Sequence, residues 1–139
     1  NYPHILIVGF PSLQRRNSPS GLSVRDYLCH LGVDDSLMHN LVVPPVGQKR
    51  TLSFAVTVKQ WLLKKEAPRC IGCNVVSDGV HARKTLIVYE RSLSGIVPVG
   101  VLAAQPSEYN PDYWWLSVVG WGWVVFGMIK YLRAFIFGY

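Results

Sequence analysis

Asn74-Val75-Val76-Ser77-Asp78-Gly79-Val80-His81-Ala82-Arg83-Lys84 is the stretch that decides the fold. The apolar residues up to Ser77 read as a buried strand and Asp78-Gly79 as a tight polar turn. The residues that follow read as the basic start of a helix. The strand is expected over Ile71 to Ser77 and the helix over Ala82 to Leu93. Leu86, Tyr89 and Leu93 share one face of that helix, and Gly95 stops it.

The same pattern recurs outward from this stretch. His4 to Phe10 is a short Ile/Val-rich run ending at Pro11-Ser12, which predicts a buried parallel strand. A polar loop from Ser12 to Gly21 leads to a helix capped near Ser23 and running to Leu31, where Gly32 ends it. Leu37 to Val43 predicts a second strand. Thr51 is the expected N-cap of a helix lined inside by Phe54, Val58, Trp61 and Leu62, with Lys64-Lys65 in its last turn. Downstream, Ile96 to Ala103 predicts a fourth strand and Ser117 to Phe137 a closing helix. Strands alternating with helices imply βαβ units. The expected architecture is therefore a Rossmann-like, doubly wound, mainly parallel sheet of about four strands with flanking helices. The expected organisation is one domain over residues 1–139, with 114–139 forming an aromatic C-terminal helix.

Composition narrows the function classes. The chain is 50% hydrophobic and 16% charged, which excludes a disordered segment. Its net charge of +6 points to anionic partners: phosphates, nucleic acid or an anionic membrane. The basic residues are scattered as short pairs with no basic tail or aromatic–basic interleaving, so nucleic acid is not an expected partner. Three cysteines make no disulfide framework. Cys70-x-x-Cys73 has no second pair and no His pair to complete a zinc site, so no metal is expected. Its plain reading is two small apolar residues beside a strand, and a redox or metal role is the weaker alternative. There is no G-x-S-x-G elbow, Walker loop or G-x-G-x-x-G.

In open parallel sheets ligands bind beyond the carboxyl ends of the strands. That rule gathers Ser12, then Arg50, Thr51 and Ser53, then Ser77, Asp78, His81 and Arg83. Helix amino ends add N–H groups and partial positive charge. Arg50, His81 and Arg83 would hold an anion, and Thr51, Ser53, Ser77 and Ser12 would add hydrogen bonds. Asp78 and His81 are the candidates for moving a proton if the site is catalytic. The plainer alternative is that Asp78-Gly79 only makes the turn. The uncharged run from Tyr113 to Ile129 has its own two readings: a helix docked on the sheet, or interfacial membrane contact by Trp and Tyr with Lys130 and Arg133 alongside.

Three segments carry a family resemblance. Lys49-Arg50-Thr51 with Ser53-Phe54-Ala55 is one, and Asn74 to Ser77 followed by His81-Ala82-Arg83-Lys84 is the second and most specific. Tyr109 to Trp115 is the third. Together they resemble the YdcF-like domain family of bacteria, whose members include the SanA and ElyC envelope proteins. The resemblance runs from about Ile5 to Phe137. It implies a Rossmann-like fold and, through one member's association, S-adenosylmethionine as a ligand to test. For some relatives it implies a role in the cell envelope; the family has no settled reaction. The family pattern begins with a further strand and an acidic loop, which this sequence lacks, and Lys84 stands where a second arginine is expected. The two function classes are thus an anion-binding domain, enzymatic or not, and a non-catalytic envelope module that works through its aromatic tail.

Overall fold

The computed structural model describes residues 4–10, 23–44, 49–64 and 70–138. The chain forms two compact units, Asn1–Ala67 and Pro68–Tyr139. Both are α/β with a parallel strand pair.

In the first unit β1 (Ile5–Gly9) pairs in parallel with β2 (Met38–Val42), in the register Ile5 to Met38 through Gly9 to Val42. Between them lies α1 (Val24–His30). Ser23 caps it through a reciprocal box with Asp26, and Gly32 at φ 86° follows its end. Arg25 pairs with Asp35 and donates to the Met38 carbonyl, which ties α1 to the start of β2. α2 (Arg50–Leu62) packs on both strands and buries Ala55 and Val58 beside Met38 and Val43. Phe54, Trp61 and Leu62 are half-buried, so the expected inner face is right in direction and shallower in depth.

In the second unit β3 (Cys73–Asp78) pairs in parallel with β4 (Val99–Ala104), Cys73 opposite Val99 and Asp78 opposite Ala104. α3 (Gly79–Leu93) covers one face of this pair, and α4 (Val118–Phe137) packs against α3. The order is therefore sheet, α3, α4. Leu93 and Val88 are fully buried, with Ala82, Tyr89 and Thr85 close behind. Gly95 holds φ 76° just past the end of α3, as expected of a helix stop. β3 alternates rather than being buried on both faces: Val75 and Ser77 turn inward while Asn74 and Val76 are exposed, Val76 at 70%.

Two expectations need correction here. Where one sheet of about four strands was expected, the described residues form two parallel pairs, one in each unit. Each pair is closed by its own βαβ connection, the most local pairing available to it. Hydrophobic patterning does not distinguish strand edges, because every strand edge offers the same main-chain groups. The second correction concerns the turn at Asp78-Gly79. β3 ends at Asp78 and α3 begins at Gly79, with no residue between, so the helix starts well before Ala82. Asp78 keeps extended geometry (φ −60°, ψ 141°) and acts as last strand residue and helix cap at once. A Cβ at Gly79 would lie 3.3 Å from the Ala104 carbonyl oxygen, so glycine lets the helix start flush against the end of β4.

Candidate functional site

The carboxyl ends of β3 and β4 meet the amino end of α3. The N–H groups of the first turn of a helix have no partner within the helix and need one from outside. Elsewhere in the chain serines supply it: Ser23 accepts from Asp26 N in α1, and Ser117 from Gly120 N in α4. α3 differs. Asp78 stands at its cap position but makes no side-chain hydrogen bond to the helix. α2 is alike: Lys49 occupies the cap position and its side chain makes no capping hydrogen bond. Thr51, the expected cap, is instead the second residue of the helix. The two helices whose amino ends carry the candidate basic residues are thus the two α-helices without a side-chain cap.

Around the start of α3 each predicted residue has a definite place. The Ser77 hydroxyl lies 3.0 Å from that of Thr85, a residue only 8% exposed, so it joins β3 to α3 across the interior. Asp78 is half-buried and Arg83 is exposed. His81 sits in the first turn with its ring tilted 57° to that of Trp123 in α4, centroids 5.9 Å apart. Its Nδ1 is buried and has no hydrogen-bond partner. Burial holds the imidazole below its ordinary proton affinity, and the Lys130 ammonium acts in the same direction; Asp78 opposes them and Lys84 adds to them. His81 is therefore biased toward the neutral form, and its Nδ1 does not bond to Asp78.

Tyr109, in the loop after β4, opens the third of the resembling segments and belongs to this neighbourhood, although it is not among the site residues expected from sequence. Partial burial raises its hydroxyl pKa, and the carboxylates of Asp78 and Glu108 add to the effect. The signal was its position on the carboxyl side of the fourth strand, the side on which ligands gather. Thr85 was also missed. A threonine amid the apolar positions of a helix must find a buried partner, and Ser77 is that partner.

In the first unit Arg50 opens α2 and is exposed, while Thr51 and Ser53 are half-buried. Ser53 Oγ donates to the Lys49 carbonyl at 3.2 Å. Ser12 lies outside the described residues. Among the described residues no three His, Cys, Asp or Glu side chains come together as a metal site. Cys70 and Cys73 form no disulfide among the described residues, and burial raises the pKa of the Cys73 thiol, which suits an inert cysteine more than a nucleophile. Comparison with protein-family models, curated proteins and solved structures finds no match.

Proposed function

We propose that this chain is a YdcF-like domain that binds an anionic ligand, phosphorylated or nucleotide-like, at the carboxyl ends of its parallel strands. The observation that carries the reading is the missing side-chain cap at the amino ends of α2 and α3. Both helices begin among basic residues, Arg50 in one and His81, Arg83 and Lys84 in the other. An anion at such an end accepts from first-turn N–H groups and meets the positive end of the helix dipole. Asp78 works against this charge, and the surrounding cations outweigh it. The proposal assigns ligand contact to Ser77, His81 and Arg83 in the second unit and to Arg50, Thr51 and Ser53 in the first. Asp78 and the neutral His81 are its proton-transfer candidates, and S-adenosylmethionine is one ligand it names for testing.

The test is calorimetric titration of inorganic phosphate, a sugar phosphate, a nucleoside monophosphate and S-adenosylmethionine into the whole chain. Arg83→Ala is expected to weaken binding at the amino end of α3, and Arg50→Ala binding at the amino end of α2, each at least tenfold, about 1.4 kcal/mol. Equal binding by the wild type and both variants removes the site.

A further inference from the structure

The outermost layer of the second unit has the wrong surface for water. α4 is 20 residues long, about 30 Å, and is long and apolar enough to match the hydrocarbon thickness of a bilayer. Its buried residues, Gly120, Gly127 and Ala134, recur every seventh position: Gly120 lies against Trp114, Gly127 against Val80 of α3, and the Ala134 carbonyl accepts from Arg91 of α3. At about 100° per residue, Val118, Val125, Ile129, Leu132 and Ile136 fall opposite that stripe. All five are exposed, Val118 at 90% and Ile136 at 67%. Contiguous exposed apolar residues along one helix face mark an interaction surface.

We propose that this outward face of α4 lies in the headgroup–acyl boundary of an anionic lipid bilayer, parallel to its plane, while the inner face stays on α3. Three observations select lipid as the occupant. First, the charge is one-sided: no Asp or Glu occurs from Tyr113 to Tyr139, and Lys130 and Arg133 lie on the same flank of the helix. A protein partner would ordinarily meet a rim of both signs, whereas cations beside an apolar strip suit anionic headgroups. Second, the aromatic residues gather at one end. Tyr113, Trp115 and Trp121 are exposed there, and Trp121 Nε1 donates to the Trp115 carbonyl at 3.0 Å. Amphipathic rings of this kind prefer the membrane–water boundary. Third, α4 is held lengthwise. Arg91 of α3 donates to the carbonyls of Ala134 (2.9 Å) and Phe135 (2.8 Å), so the far end of α4 is fastened to a helix that also carries Arg83 and Glu90. A helix so held lies on a membrane without crossing it, because crossing would carry those charges into hydrocarbon. This inference stands on a different surface from the anion site and does not depend on it.

The experiment uses the whole chain diluted from detergent onto vesicles of phosphatidylcholine with or without one-third phosphatidylglycerol. The wild type is expected to float with the anionic vesicles, and with neutral ones at least several-fold less. Val125→Asp/Ile136→Asp is expected to cut flotation at least tenfold with an unchanged circular dichroism spectrum, since both side chains face outward. A nitroxide at Ile129→Cys, in a chain with Cys29, Cys70 and Cys73 changed to Ser, is expected at a depth of about 5–10 Å. Three results overturn the proposal. One is absence of flotation. Another is a label depth near the bilayer centre, about 15 Å, which means a crossing helix. The last is a lipid-free dimer that the double substitution abolishes, which makes the occupant a second copy.

Discussion

His81 makes the stability of the second unit depend on pH. Its proton affinity is lower in the folded chain than in the unfolded one, so protons bind preferentially to the unfolded state. Its contribution to stability is therefore complete above the ordinary histidine value of about 6.5 and declines as pH falls through and below it. Thermal unfolding from pH 7.5 to 5 should show a falling midpoint, with a smaller fall in His81→Gln. An equal fall in both proteins would place the titrating group elsewhere. Leu93 makes a plainer prediction. It is fully buried between α3 and its neighbours, so Leu93→Ala should cost roughly 2–5 kcal/mol in denaturant unfolding. The sequence picked Leu93 out through its periodicity with Leu86 and Tyr89. Nothing in the sequence told that His81 would face Trp123, because that contact depends on how two helices cross.

At the scale of elements, the glycines of α4 separate into two kinds. A Cβ at Gly127 would come within 3.1 Å of Val80 Cβ and 3.2 Å of its carbonyl oxygen, and one at Gly120 would collide with the Trp114 carbonyl. At Gly122 it would meet nothing within 4 Å. The same change should therefore have opposite signs. Gly122→Ala should stabilise by up to about 1 kcal/mol through helix propensity, and Gly127→Ala should destabilise by pushing α4 off α3. Midpoints that move in the same direction would contradict the docking. Arg91 answers a need that α4 does not meet itself, since its own last turn holds no basic residue. Arg91→Met should cost about 1 kcal/mol and raise amide exchange at the end of α4. The closing helix was legible almost to the residue, because Ser117 marks its start and twenty apolar-rich positions follow. The start of α3 was not. Asp-Gly reads as a turn by local preference, and only the nearness of β4 makes it a strand-to-helix junction.

For the whole molecule, the α/β class and parallel pairing were readable from the alternation of short Ile/Val runs with helical spacing. The division into two strand pairs was not, because hydrophobic pattern fixes which face a strand buries and leaves its edges undetermined. The candidate site was legible as a set of residue types. The sequence even implied a cap at Thr51, and the structure moves the cap position to Lys49, whose side chain makes no capping hydrogen bond. If both uncapped ends take anions, phosphate should stabilise the folded chain. For a dissociation constant of about 1 mM, 10 mM phosphate adds about 1.4 kcal/mol per site, and the midpoint should rise by a few degrees. Chloride at matched ionic strength should give much less. Equal effects would reduce the result to screening of the +6 charge.

The contact between His81 and Trp123 also gives the molecule an optical handle. A protonated imidazole quenches indole emission at close range, and these rings are 5.9 Å apart. Subtracting the emission of Trp123→Phe from that of the wild type isolates one fluorophore that reports one helix pair. Its emission should drop on acidification only while α4 rests on α3. Followed as vesicles are added, that pH-dependent drop reveals whether the outer helix keeps its seat or lets go.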